Sequence, residues 1–173
     1  MAGYQPGKVE RTRAALGEAV LALLAESPDG RMTADDIAVR AGMGRTTWFR
    51  NCSGKGDAVA SALVARWAGW AEAEGVEFTQ GSGLTPFLSY VYSQRGTISL
   101  LYERGLSSAV HEASGRIAAL LGESGVELGY RGKFYLYGII GIIDEWVARG
   151  FADSPKEVAA LVTWTAGPLP AST

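Results

Sequence analysis

The chain has very little of the two residues that most often supply covalent or metal-based stability. It contains one cysteine, Cys52, and one histidine among 173 residues. A single cysteine cannot form an intrachain disulfide, and one cysteine with one histidine is too few for the usual four-ligand zinc site. We therefore expect a fold held by packing alone, with no metal and no cofactor.

Long apolar runs are also missing. The first residues contain no apolar stretch of the kind found in signal peptides, and no later segment approaches the roughly 18 apolar residues of a membrane span. Hydrophobic residues make up 47% of the chain and charged residues 20%, which is typical of a globular protein with a packed core. The sequence predicts a cytoplasmic protein without a membrane partner.

The charge is unevenly distributed although its total is small. The net charge is −2, yet residues 1–55 carry eight Lys and Arg against six Asp and Glu, whereas residues 56–173 carry eight against twelve. The first part is therefore weakly basic and the second acidic. This asymmetry favours a nucleic-acid partner for the N-terminal part, but it is too small to establish one alone.

Helical spacing recurs along the chain, whereas strand signals are scarce. Leu16, Val20 and Leu24 recur at every fourth residue and predict a first helix that residues 27–30 stop. Similar patterns predict further helices over 33–42, 45–52 and 55–75, and, after a flexible connection at 79–83, helices starting near 85, 98, 110, 130 and 154. We expect an all-α protein.

Residues 33–55, TADDIAVRAGMGRTTWFRNCSGK, predict two short helices joined by a tight turn. Thr33 can cap the first of them with Asp36 as a weak capping box, and Gly42 and Gly44 allow the turn. This is the outline of a helix-turn-helix, in which the second helix enters the DNA major groove. The alternative is an ordinary helical hairpin with solvated charges.

Side chains suited to DNA lie where such a motif needs them. Arg45, Thr46 and Thr47 begin the second helix, so that Arg45 could reach a guanine edge or a phosphate. Lys55 begins the next helix, where its charge adds to the unpaired backbone amides that favour a phosphate. The three residues at the start of the second helix are therefore candidates for reading bases. Lys55 is a candidate for positioning the protein on the DNA backbone.

Two segments resemble one known family. The order TADDIAVRAGM, GRTTWFRN and a lysine that opens a long helix is similar to the N-terminal domain of the tetracycline-repressor (TetR) family of transcription regulators. The run FYLYGIIGIIDEWVARGFADSPKEVAALV is similar to the last two helices of that family, which form its dimer interface. The middle of the chain carries no such signature.

The resemblance implies an architecture and a function. The implied architecture is an N-terminal three-helix helix-turn-helix DNA-binding domain, residues 1–55, joined by a long helix to a C-terminal helical ligand-binding and dimerisation domain, residues 56–173. The implied function is that of a ligand-responsive regulator. It would bind a palindromic operator on double-stranded DNA as a homodimer, with repression as the expected action and release by a small-molecule effector.

Four positions depart from the family pattern. The family usually has serine or threonine at Gly44, tyrosine at Phe49, histidine at Asn51 and phenylalanine at Cys52. Phe49 lacks the hydroxyl that the resemblance assigns to a phosphate, so that Trp48 or Arg50 would have to compensate. The candidate DNA-binding residues are Thr33, Arg45, Thr46, Thr47, Trp48, Phe49, Arg50, Asn51 and Lys55.

These departures leave alternatives open. They predict an altered operator preference, and they allow a helical dimeric small-molecule-binding module of the same fold that has lost operator recognition. An all-α enzyme is a third alternative, but no cluster of nucleophile, base and orienting residue is apparent. Cys52 could be an oxidation sensor, although a small apolar packing role is the simpler interpretation.

Aromatic residues are frequent in the C-terminal part. The resemblance implies that its helices enclose a cavity for a small hydrophobic or aromatic effector, whereas simple core packing is the alternative. A lone histidine, His111, is expected at the surface or at a boundary and is a further candidate. The candidate ligand-binding residues are Trp67, Trp70, Phe87, Tyr90, Tyr102 and His111, and Tyr92 adds another ring.

The helix predicted over residues 130–149 is apolar on more than one face. One face can pack internally and another against a second copy, as in a two-fold dimer. Asp144 and Glu145 are neighbours that point about 100° apart, so we expect them to be solvated and not to act as an acid and base pair. The candidate dimer-interface residues are Tyr135, Ile139, Ile142, Ile143 and Trp146.

Overall fold

A computed structural model describes residues 6–27, 29–75, 84–123 and 130–166. Every regular element in these ranges is an α-helix, which confirms the predicted all-α class. None of these helices has the length and apolar character needed to cross a membrane. The helices are α1 (Lys8–Glu26), α2 (Ala34–Arg40), α3 (Arg45–Asn51), α4 (Lys55–Ala73), α5 (Leu84–Ser93), α6 (Arg95–Glu103), α7 (Ser107–Glu123), α8 (Tyr130–Ala148) and α9 (Pro155–Ala166).

Two of the predicted helix starts have the capping pairs that predicted them. Thr33 Oγ1 accepts a hydrogen bond from the Asp36 amide at 3.2 Å, and Asp36 Oδ2 accepts one from the Thr33 amide at 2.7 Å. Ser154 and Glu157 make the same reciprocal pair at the start of α9. Gly42 has a φ of +66°, which suits glycine in the turn that follows α2.

Some predicted boundaries lie elsewhere or cannot be compared. Helix α5 begins at Leu84, so that Thr85, the predicted cap before Pro86, lies inside the helix. The predicted connection at 79–83 and the predicted stop at Gly167 and Pro168 lie outside the described residues. Pro28, in the predicted stop after α1, also lies outside them.

Helix α4 is the central element, because it packs along both α1 and α7. Val59 and Trp67 of α4 are fully buried. Where α1 meets α4, a Cβ atom added to Gly17 would lie 2.0 Å from the carbonyl oxygen of Ala58. The two backbones therefore approach each other closely, and the α1 contact with α4 crosses the domain boundary predicted at residue 55.

Candidate nucleic-acid interface and effector region

Helix α3 has one buried residue, and most of its exposed side chains are polar. Trp48 is only 7% exposed and belongs to the core, whereas Arg45, Thr46 and Arg50 are exposed. Burial of the Trp48 ring fixes which face of α3 points outward. The ring is therefore poorly placed to replace the missing tyrosine hydroxyl at a phosphate. Of the two residues proposed for that role, the exposed Arg50 is favoured.

Arg45 makes only weak contacts within the protein. Its Nε lies 3.4 Å from Asp35 Oδ1, and both side chains are more than half exposed. Its guanidinium carbon lies 5.6 Å from the centre of the Phe49 ring. Exposed ion pairs contribute about 0–1 kcal/mol, so Arg45 can exchange Asp35 for another anion at little cost. Phe49 itself is 61% exposed.

Two other candidate DNA-binding residues, Thr33 and Asn51, use their side chains in bonds that shape the local backbone. Thr33 donates its hydroxyl to Asp36 at 2.7 Å while capping α2. Asn51 donates its Nδ2 to the Thr47 carbonyl at 2.7 Å, and the Asn51 carbonyl accepts from Arg13 Nε at 2.5 Å. Thr47 is half-buried. These contacts give Thr33 and Asn51 a structural role within the protein.

The N-terminus of α4 already has a carboxylate beside it. Lys55 is the first residue of the helix and is half-buried, and Gly54 before it provides no side-chain cap. Asp57 Oδ2 instead accepts from the Ser53 amide at 2.9 Å, and Asp57 Oδ1 accepts from Arg116 at 2.7 Å. Burial alone would raise the pKa of Asp57, but the bonds from Ser53 and Arg116 outweigh it and lower that pKa.

The Asp57 pair with Arg116 was missed by sequence reasoning. Asp57 lies four residues after Ser53, at the third position of α4, which is a local signal for a capping carboxylate. Arg116 lies 59 residues further along the chain. Nothing local in the sequence could have identified it as the partner.

Cys52 lies between α3 and α4 and is buried. Burial, together with the negative charge of Asp57, raises the pKa of its thiol to about 11. The thiol is therefore protonated near neutral pH, and a protonated, buried thiol is a poor nucleophile. These observations favour the packing role over an oxidation sensor.

Only two of the candidate ligand-binding residues line a shared cavity. The cavity has a volume of about 30 Å³ and is lined by Leu63, Phe87, Tyr90, Val91, Gln94, Ile98, Val110, Ala113, Ser114, Ile117 and Ile143. A water molecule needs about 10–15 Å³ on this measure, and sites for drug-sized ligands occupy roughly 300–1,000 Å³. An aromatic effector would therefore require the cavity to enlarge.

The two tryptophans of α4 are packed against other residues. Trp67 is fully buried, and the Trp70 ring lies 5.1 Å from the Tyr90 ring. Neither lines the cavity. Both therefore fit the alternative interpretation, in which aromatic residues at helical spacing form the core. Tyr90 also lies close to the Leu63 carbonyl, with its hydroxyl 3.4 Å away.

Tyr102 and His111 belong to a separate cluster with Asp144, which joins α6, α7 and α8. His111 Nε2 lies 2.7 Å from Asp144 Oδ1, and the Tyr102 hydroxyl donates to the same oxygen. Burial and the Asp144 charge raise the pKa of Tyr102, whereas the two hydrogen bonds outweigh burial and lower the pKa of Asp144. The Asp144 side chain is still 44% exposed, as the expectation of a solvated residue requires, but its carboxylate is also paired across three helices. Glu145 is exposed as expected.

The candidate dimer residues on α8 also fall on different faces. Ile143 and Trp146 are each 2% exposed, and Trp146 Nε1 donates to the Asp153 carbonyl at 3.0 Å. This corrects the prediction for both, since they pack inside one chain. Ile139 and Ile142 are half-buried. The side chain of Tyr135 lies outside the described residues.

A different face of α8 exposes large apolar side chains. Its residues recur at helical spacing, and one large apolar residue of α9 is also exposed. The exposed apolar residues, with their exposed fractions, are Tyr130 (97%), Phe134 (70%), Tyr137 (70%) and, on α9, Leu161 (60%). Gly138 and Gly141 are exposed on the same helix. The periodicity of aromatic residues in the sequence could have identified this face. We define Tyr130, Phe134, Tyr137 and Leu161 as the α8–α9 apolar surface.

Comparison of the chain with protein-family models, with curated proteins and with solved structures gave no match.

Proposed function

We propose that this chain is a DNA-binding transcription regulator that acts as a homodimer in the cytoplasm. The observation that carries the proposal is the outer surface of α3. Arg45, Thr46 and Arg50 are exposed there, while the buried Trp48 holds the opposite side of the helix in the core. A short helix with basic and hydroxyl side chains at its exposed N-terminal end suits the DNA major groove.

In the proposed complex, α2 and α3 act as a helix-turn-helix. Arg45 leaves its weak pair with Asp35 and bonds to a base edge or a phosphate. Lys55 contributes its positive charge next to the DNA phosphate backbone. Two copies of α3 would enter successive major grooves about 34–36 Å apart, so that the operator is a palindrome.

The α8–α9 apolar surface is the proposed dimer interface. Large aromatic side chains that are 70% or more exposed, such as Tyr130 and Tyr137, are costly to leave in water. The exposed Gly138 and Gly141 allow a second helix to approach α8 closely. A two-fold axis would place the same surface of each copy against the other.

A small apolar or aromatic effector would regulate DNA binding by enlarging the cavity between α4, α5 and α7. Phe87 and Tyr90 line the cavity on one side, and Val110, Ala113 and Ile117 of α7 line it on another. Enlargement would shift α7 relative to α4, which also packs against α1. Couplings of this type are typically worth about 1–3 kcal/mol. Repression relieved by the effector is the expected action.

The test is selection of bound duplexes from random-sequence DNA by the wild-type chain. The proposal predicts enrichment of a palindrome. Arg45→Ala should relax sequence preference, and Lys55→Ala should weaken binding about equally across sequences. Arg31→Ala is the matched control, because Arg31 is highly exposed but lies before α2. If no sequence is enriched at low salt, the proposal is wrong.

A second candidate function is a dimeric small-molecule-binding module that no longer reads an operator. The observation that favours it is the combination of Phe49, which cannot donate to a phosphate, with Asn51, whose amide is bonded to Thr47. In that case selection would enrich no sequence, whereas an apolar fluorescent dye would still bind the dimer.

A further inference from the structure

Arg116 connects α7 to the N-terminal end of α4. Its Nη2 lies 2.7 Å from Asp57 Oδ1, and its Nη1 donates to Ser61 Oγ at 2.7 Å. Both partners are on α4. Its Nη2 also donates to Glu112 Oε1 at 2.6 Å, one turn earlier on α7. Arg116 therefore joins two helices through one guanidinium group.

Asp57 continues this connection to the end of the candidate DNA-binding unit. Its Oδ2 accepts from the Ser53 amide at 2.9 Å and from the Ser53 hydroxyl at 3.2 Å. Ser53 lies in the loop between α3 and α4, next to Cys52. Two hydrogen-bonded steps, from Arg116 to Asp57 and from Asp57 to Ser53, thus link α7 to the loop that follows α3.

The connection is shielded from solvent more than a surface ion pair. The side chain of Asp57 is 13% exposed and that of Arg116 is 32% exposed. Water competes less strongly for such groups, so that losing one partner costs more than it does at the surface. Without Arg116, the Asp57 carboxylate would keep only its bonds to Ser53.

The same helix carries part of the cavity wall. Ala113 and Ile117, on either side of Arg116 in the sequence, both line the cavity. A displacement of α7 that enlarges the cavity would therefore also move the Arg116 guanidinium relative to Asp57.

We propose that Arg116 is a positioning residue for DNA binding. Through Asp57 it holds the loop at 52–54, and with it the end of α3 and Lys55, in the geometry that DNA requires. This inference rests on the proposed function and names a contact through which the cavity would be coupled to the DNA-binding surface.

The test compares Arg116→Gln with Glu112→Gln. Each change neutralises one member of the same network. Glu112 and Arg116 both belong to α7, so the Glu112 change removes a bond within that helix. Only Arg116→Gln breaks the bridge from α7 to α4. Affinity is measured by fluorescence anisotropy on the duplex that the wild-type chain enriches from random DNA. Hydrogen exchange of residues 52–58 is measured without DNA.

Arg116→Gln should weaken DNA binding about tenfold, as expected for the loss of hydrogen bonds between charged, half-buried groups, and should accelerate exchange at residues 52–58. Glu112→Gln should change neither measurement. Arg116→Lys keeps the charge but has a single ammonium group, so that it should give an intermediate affinity. If Arg116→Gln does not fold, Arg116→Lys against Glu112→Gln decides the question, and equal affinities overturn the inference.

The inference and the proposed function fail in different ways. If the wild-type chain enriches no DNA sequence, the proposed function is wrong and the inference falls with it. If the wild-type chain binds DNA and Arg116→Gln binds equally well, only the inference is wrong. Faster exchange without a loss of affinity would show a purely structural bridge, and a loss of affinity without faster exchange would show that Arg116 does not act through the loop. Either result overturns the inference.

Discussion

Helices α3 and α8 both expose aromatic side chains, but their surroundings differ. On α3, Phe49 is 61% exposed and lies beneath the guanidinium group of Arg45. On α8, Tyr130 and Tyr137 are 97% and 70% exposed, and Gly138 and Gly141 are exposed on the same helix. An exposed aromatic ring next to an arginine side chain suits an anionic partner with planar bases, such as DNA. Exposed aromatic rings next to glycines suit packing against another apolar helix.

In each helix one buried tryptophan determines which face is outward. Trp48 anchors α3 in the core, and Trp146 anchors α8 beside the Phe151 ring at 5.2 Å. Changing either surface, or the packing that holds the two surfaces in place, tests whether the two helices have different roles.

The largest expected effect is on self-association. Tyr137→Glu combined with Phe134→Glu would place two carboxylates in the proposed dimer interface, where unpaired charges are strongly unfavourable. We expect the dimer dissociation constant to rise about 100-fold or more, because interface hot spots and buried unpaired charges each cost about 2 kcal/mol or more. Sedimentation equilibrium measures it.

Phe49→Glu is the matched control for this experiment. It adds a carboxylate at an exposed aromatic position on α3 and should leave self-association unchanged. A chain that dimerises as well with glutamate at 134 and 137 as without it would show that the α8–α9 apolar surface is not the interface.

Gly17 tests the packing that holds α1 against α4. In Gly17→Val the new Cβ would meet the Ala58 carbonyl oxygen at 2.0 Å, which forces the helices apart. Overpacking of this kind typically costs about 1–3 kcal/mol in the free energy of unfolding. Urea denaturation followed by circular dichroism measures the loss.

Gly69→Ala is the control for the glycine change. Gly69 lies in α4, and a Cβ there would meet nothing within 4 Å. This change should stabilise the chain by about 0.5–1 kcal/mol, since alanine favours a helix over glycine. If Gly17→Val were as stable as Gly69→Ala, the close approach of α1 and α4 would be wrong.

A smaller effect is expected from the acid titration of Asp57. Its pKa is lowered in the folded chain, so at acid pH the unfolded chain binds more protons. The stabilisation is present above the unfolded pKa of about 3.9 and is lost as pH falls through the folded pKa. Asp57→Asn should therefore lower the free energy of unfolding at pH 7 by about 1 kcal/mol and flatten its decline below about pH 4.

Asp35→Asn is the comparison for that titration. The Asp35 side chain is 58% exposed and pairs only weakly with Arg45. Because exposed ion pairs contribute about 0–1 kcal/mol, replacing it should lower the free energy of unfolding at pH 7 by less than Asp57→Asn does. An equal loss of stability in the Asp57 and Asp35 variants would contradict the role assigned to Asp57.

The smallest expected effect is on thiol chemistry. Cys52 is buried and its pKa is raised to about 11, so its reaction with iodoacetamide at pH 7.5 should be slow in the folded chain. Mass spectrometry should show rapid alkylation only in denaturant. Fast alkylation of the folded chain would restore the oxidation-sensor interpretation.

The helices were largely predictable because their signals are local. Capping pairs such as Thr33 with Asp36 lie three residues apart. Gly42 favours a turn through its own backbone, whatever the tertiary fold around it. The close packing at Gly17 was not predictable. In the sequence, a glycine inside a helix indicates only a weak tendency to form that helix. Its role in packing becomes evident only from the structure, in which the Ala58 carbonyl lies against Gly17.

The candidate sites were less predictable because they depend on orientation and on distant contacts. The sequence identified α8 as apolar on several faces, but it could not show that Ile143 and Trp146 face inward while Tyr137 faces outward. The pairing of Asp144 was not predictable, because its partners, Tyr102 and His111, lie more than thirty residues away in the sequence.

DNA recognition by a dimer is tested most directly by the salt dependence and stoichiometry of the wild-type complex with its enriched duplex. We expect two chains per palindrome and an affinity that falls steeply with salt, with a log–log slope of about −0.9 for each phosphate contact. Binding of one chain per duplex would contradict the dimer, and an affinity that does not change with salt would contradict DNA recognition by α3 and Lys55.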